Sequence, residues 1–127
     1  MSTEKLVDTD VLIDFLRGNE KAVSFIEKIS SQIILSPIVV AELYAGVKGD
    51  DEMYVLNNFI SFFRIVPINS EIAKTGGLYK RDFGKSHGIG LADALLAATA
   101  FQENAEIITL NIKHYPMVTG LKPAYTK

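Results

Sequence analysis

The feature that most constrains the fold is a repeated pairing of an apolar run too short for a helix with a following segment of helical length. The short runs fall at residues 5–7, 32–35, 65–68 and 106–109. Runs of this length with little polar alternation read as strands buried on both faces. Between them lie helical stretches. Residues 11–17 form a turn or two stopped by Gly18, and 20–30 a second helix. Ser36-Pro37 supplies an N-cap and a first-turn proline for a helix over 38–48, closed by Gly49. Another helix spans 50–63. Ser70 caps one that reaches about residue 84, weakened by Gly76-Gly77, and 91–104 is an alanine-rich helix. The remainder reads as loop with one further short strand near Leu121. Strands alternating with helices predict a three-layer α/β/α sandwich with a central, mainly parallel sheet, as one domain over residues 1–127.

Composition narrows the chemistry. With 127 residues, 48% of them apolar, the chain has material for one packed core. It has no cysteine, which excludes disulfides, thiolate metal ligands and thiol catalysis, and fits a reducing, cytoplasmic setting. The longest apolar stretches, 33–41 and 94–101, fall well short of the roughly 18 residues a spanning helix needs, so no membrane role is expected. Asp8, Asp10 and Asp14 also interrupt the apolar run a secretory signal would require. Charge is lopsided: residues 1–63 carry 5 Lys/Arg against 10 Asp/Glu, and 64–127 carry 8 against 5. Such a split suits a protein that holds cations in one place and phosphates in another.

In parallel α/β sheets, ligands bind beyond the carboxyl ends of the strands. Three acids stand at or just past such ends, where core packing alone would not put them. Asp8 closes the first strand, Glu42 interrupts Val39-Val40-Ala41-Glu42-Leu43, and Asp93 is the only formal charge between Lys85 and Glu103. Each has a structural alternative. Asp8 would cap the helix that follows, Glu42 would face solvent, and Asp93 would favour a helix N-terminus. The same placement three times over points instead to one cleft. Carboxylates about 5 Å apart repel by about 3 kcal/mol per pair at an effective dielectric near 20. Protons or a divalent cation must relieve that. Oxygen donors without cysteine favour Mg²⁺ or Mn²⁺ over zinc.

Four segments, in order, carry a resemblance: Val7-Asp8-Thr9-Asp10-Val11-Leu12-Ile13-Asp14, Ser36-Pro37-Ile38-Val39-Val40-Ala41-Glu42-Leu43, Ala92-Asp93-Ala94-Leu95-Leu96-Ala97-Ala98-Thr99-Ala100, and Ile108-Thr109-Leu110-Asn111-Ile112-Lys113-His114-Tyr115. Together they resemble the PIN-domain nucleases, and among them the VapC-type toxins of toxin–antitoxin pairs. The resemblance implies a metal-dependent endoribonuclease that hydrolyses RNA phosphodiester bonds with a metal-activated water. Its Mg²⁺ or Mn²⁺ ligands would be Asp8, Glu42 and Asp93. A fourth acidic position of the family falls on Asn111, a departure that leaves one fewer negative charge but keeps a carbonyl oxygen able to ligate. Asp10 stands where asparagine is frequent, and Thr9, Asp10 and Thr109 would orient the acids from behind. The resemblance also implies a small cognate antitoxin and a homodimer.

Two other readings use the same residues. Asp8-Thr9-Asp10-Val11 after a strand matches the aspartyl-phosphate motif of haloacid-dehalogenase-type phosphatases, with Asp8 as nucleophile. A PIN-like binding module weakened by Asn111 is the non-enzyme alternative. Lys74, Arg81 and Lys85 share one face if their helix is continuous, and would grip RNA phosphates or simply face solvent. His87 and His114 offer ligands or bases, with His114 three residues past Asn111 and within reach of the cleft rim, but a loop or packing role is the favoured reading of both. Residues 50–63 are apolar on nearly all sides, which predicts a second buried surface against an identical subunit or an antitoxin peptide.

Overall fold

The computed structural model describes residues 3–126. Strand β1 (Lys5–Val7) runs into α1 (Thr9–Leu16) and α2 (Glu20–Ile29), then β2 (Ile33–Leu35), α3 (Pro37–Ala45) and α4 (Gly49–Ile60). After β3 (Arg64–Ile65) come α5 (Ser70–His87), α6 (Leu91–Glu103) and β4 (Glu106–Ile108), with a 3₁₀ turn at Ile112–His114. The caps explain the boundaries. Asp8, Asn19, Ser36 and Asn69 accept backbone N–H groups at the starts of α1, α2, α3 and α5. Asn69 rather than Ser70 caps α5, because its Oδ1 reaches the Ile72 N–H at 2.9 Å. Gly88, at φ 65, ends that helix in the left-handed region open to glycine.

The four strands are all parallel, in the order β3-β2-β1-β4, with helices on both faces. This is the α/β/α sandwich read from the sequence. β2 is buried along its whole length, as are Leu6 and Val7 of β1. Register then sets the site. Val7 lies beside Ile108, and the Asp8 N–H donates to the Ile108 carbonyl at 2.8 Å, so Asp8 and Thr109 leave the sheet side by side. The chain passes from β1 to β2 on one side while β4 flanks β1 on the other, which opens a crevice at their carboxyl ends.

Several boundaries differ from the sequence reading. α3 stops at Ala45 with Gly46 as its cap, and α4 begins at Gly49. β3 is only two residues, both exposed, because it is an edge strand. No strand forms near Leu121 among the described residues; there the Ala124 N–H donates to the Thr109 carbonyl at 2.9 Å as a lone bond. Gly76-Gly77 does not interrupt α5, because Gly76 lets it press against α6. A Cβ at Gly76 would lie 2.6 Å from Leu95 Cδ2 and 3.2 Å from Leu95 Cα.

Candidate active site

Asp8 is the most firmly held acid. Its backbone leaves β1 in an extended conformation and its Oδ1 accepts the Thr9 N–H at 2.8 Å, capping α1. Its Oδ2 accepts two hydroxyls, from Thr109 at 2.9 Å and Tyr115 at 2.7 Å. The capping alternative for Asp8 is therefore realised, but it uses only one edge of the carboxylate.

Asp93 lies in the first turn of α6, a helix whose Gly90 cap offers no side chain. Its Oδ1 is 3.4 Å from the Tyr115 hydroxyl and its Oδ2 is 3.2 Å from His114 Nδ1. Burial holds the Asp93 carboxyl above the usual carboxylate range, and the charge of Asp8 adds to this, with a smaller push from Glu42; His114 works the other way. Glu42, on α3, is exposed, and its Oε1 accepts the Thr9 hydroxyl at 2.6 Å. Asp8 and Asp93 thus meet across one tyrosine, while Glu42 stands at the mouth on a threonine from the same turn as Asp8.

The supporting residues tie the strand ends together. Asp10 Oδ2 accepts the Leu110 N–H at 3.0 Å and its Oδ1 the Val11 N–H at 2.8 Å, joining the start of α1 to the chain leaving β4. Burial, then repulsion by Asp8, raises its pKa. Thr109, fully buried, also accepts the Asn111 N–H at 3.0 Å. Asn111 itself is exposed on the rim and is tied in by its backbone. Lys74, Arg81 and Lys85 are exposed on the continuous α5, which packs on the helix bearing Asp93; Arg81 Nε also pairs with Asp82 Oδ1 at 2.8 Å.

Tyr115 carries no role in the sequence reading, and His114 and Asp14 carry more in the structure than their sequence settings suggest. Tyr115 is 1% exposed, with its hydroxyl between Asp8 and Asp93; burial and those acids push its pKa far up, so it stays a donor. The available signal was a tyrosine in an apolar setting, whose hydroxyl needs a partner once buried. His114, read as a packing residue, faces Asp93. Asp14 is buried and accepts the Tyr125 hydroxyl at 2.8 Å.

The donor set fits a hard divalent cation in type and charge: carboxylate oxygens, hydroxyl support and no sulfur. Asp93's pKa is raised first by burial and then by the charge of Asp8, and a bound cation would oppose both by favouring the ionised carboxylate. Among the described residues, no three His, Cys, Asp or Glu side chains lie close enough together to hold a metal ion as they stand, so the fit is one of donor type and charge.

An all-parallel α/β/α sandwich with acids gathered at its crevice defines the class of molecule. The chain belongs to the PIN-domain family, whose model matches residues 5–116, and this removes the haloacid-dehalogenase alternative. Ribonuclease VapC19 of Mycobacterium tuberculosis is 36% identical over 125 residues, covering 95% of this chain and 99% of that protein. Ribonuclease VapC10 of the same organism is 36% identical over 123 residues, covering 94% and 92%. A toxin–antitoxin complex from Klebsiella pneumoniae contains a chain that superposes with a TM-score of 0.83 at 28% identity, covering 96% of this chain and 98% of that one.

Proposed function

We propose that this chain is an endoribonuclease that hydrolyses RNA phosphodiester bonds with a divalent cation held by Asp8, Glu42 and Asp93, and that it is the toxin of a toxin–antitoxin pair. The observation that carries the reading is the meeting of Asp8 and Asp93 across Tyr115 at the carboxyl ends of β1 and β4, with Glu42 linked to them through Thr9. The relatives named as ribonucleases and the toxin–antitoxin complex support it.

A bound Mg²⁺ or Mn²⁺ would supply a more acidic water and neutralise charge on the phosphate. The chain's own residues do the rest. Thr109 and Tyr115 fix the plane of the Asp8 carboxylate, and Thr9 aims Glu42. Asn111, on the rim, offers a neutral carbonyl oxygen where a carboxylate would add repulsion. Lys74, Arg81 and Lys85 extend a positive stripe for the RNA backbone.

Two surfaces suit protein partners. A cavity of about 430 Å³ between α1, α3 and α4 is lined by Ile13, Leu16, Leu43, Val47 and Val55 and reaches Glu42, so an antitoxin segment seated there would lie against the cleft. The outward side of α4 and the turn after it expose Tyr54 and Phe62, which suits a homodimer. No helix among the described residues is long and apolar enough to cross a membrane.

The test is cleavage of RNA by Asp8→Asn, Glu42→Gln and Asp93→Asn proteins in Mg²⁺. Each is expected to lose at least about a hundredfold in rate while keeping its circular-dichroism spectrum. Folded variants that all cleave like the parent would overturn the site, and a parent that cleaves no RNA in Mg²⁺ or Mn²⁺ would leave a binding module.

A further inference from the structure

We infer that the buried Tyr115 hydroxyl is a positioning group that restricts Asp8 to one open coordination position and thereby biases the site toward small octahedral cations over Ca²⁺. The inference rests on Asp8 being a cation ligand, and adds what decides which cation it takes.

Asp8 has few acceptor sites left to give a cation. An ionised carboxylate offers about four lone-pair directions, two on each oxygen. On Asp8, Oδ2 accepts from Thr109 Oγ1 at 2.9 Å and from Tyr115 Oη at 2.7 Å, which fills both of its directions. Oδ1 accepts the Thr9 N–H at 2.8 Å and keeps one. Asp8 can therefore offer a cation one oxygen but not both. The tyrosine proton goes to Asp8, the nearer acid, since Asp93 Oδ1 is 3.4 Å away and one hydroxyl has one proton to give.

Denticity separates the hard cations. Mg²⁺ takes single oxygens in a near-ideal octahedron, whereas Ca²⁺ takes six to eight ligands and readily uses both oxygens of one carboxylate. An acid whose second oxygen is occupied suits the first and handicaps the second. The clamp is also rigid. Tyr115 is 1% exposed within the core and Thr109 is fully buried, so neither side chain can swing away without disturbing packing, and the Thr109 proton goes to Asp8 Oδ2 at 2.9 Å rather than to Asp10 Oδ2 at 3.4 Å. Asp93 and Glu42 have no comparable double clamp, which places the restriction at Asp8.

The test is calorimetric titration of the metal-free full chain with Mn²⁺ and, separately, with Ca²⁺. Tyr115→Phe keeps the buried ring and frees one lone pair of Oδ2, and Thr109→Val frees the other while keeping the side chain's shape. Each is expected to shift the Mn²⁺-over-Ca²⁺ affinity ratio toward Ca²⁺ by about tenfold, the lower end of what outer hydrogen-bond partners of metal ligands are worth. A merely structural hydroxyl would lower melting temperature and leave the ratio unmoved. An unchanged ratio in both folded variants overturns the inference. A parent chain that binds neither cation, or binds them equally well as Asp8→Asn, overturns the underlying assignment of Asp8 instead. Should either variant fail to fold, the other decides.

Discussion

Asp93 shows how one side chain can satisfy two demands. In the first turn of α6 it complements the helix dipole, as any helix-start acid would. Yet its pKa is raised, first by burial and then by Asp8, and Asp10 is raised for the same two reasons. For a carboxyl whose folded-state pKa exceeds its unfolded value, the folded state holds the extra proton between the two, so stability falls as pH rises through the raised value. The metal-free protein is therefore expected to gain stability from these two groups on mild acidification toward the ordinary carboxylate value of 3.8. Thermal melts across that window, with chelator present, check this. Asp93→Asn should flatten the gain and leave the share of Asp10. Near neutrality the same substitution removes a repelling charge and should stabilise the metal-free chain by about 1 kcal/mol. A loss of that size would mark Asp93 as a helix-start acid alone.

At the scale of elements, the sequence made visible what depends on local chemistry. Ser36-Pro37 announced the start of α3, and the short apolar runs announced strands, because capping and burial are written in neighbouring residues. The acids at strand ends were legible for the same reason. Register was not, and register is what brings Asp8 beside Thr109. Tyr115 was hidden because its hydroxyl meets acids 107 and 22 positions away. The strand expected near Leu121 failed because only one ladder-like bond forms there, from Ala124 to Thr109. The sequence of residues 50–63 reads as apolar on nearly all sides. In the structure Leu56 and Ile60 face the core, while Tyr54, Val55 and Phe62 are 69%, 56% and 80% exposed. If that outer side joins two copies, Phe62→Glu should convert a dimer to a folded monomer in sedimentation equilibrium. A parent chain already monomeric at tens of micromolar would speak against a stable homodimer of ordinary interface size.

For the whole molecule, the parallel sheet is the device that collects distant residues. Asp8 follows β1, Glu42 lies one turn into the helix after β2, and Asp93 and Tyr115 bracket β4 in sequence, so four separate segments converge on one edge of the sandwich. The acidic first half contributes Asp8 and Glu42, and the basic second half carries the Lys74, Arg81 and Lys85 stripe on α5. In the proposed reading the cation site draws on both halves, Asp8 and Glu42 from the first and Asp93 from the second, while the basic stripe belongs to the second alone. If the acids act through a divalent cation, RNA cleavage by purified protein will respond to a chelator. Cleavage in Mg²⁺ or Mn²⁺ should stop in excess EDTA and return when Mn²⁺ is restored; cleavage that continues undiminished in excess EDTA would contradict the account.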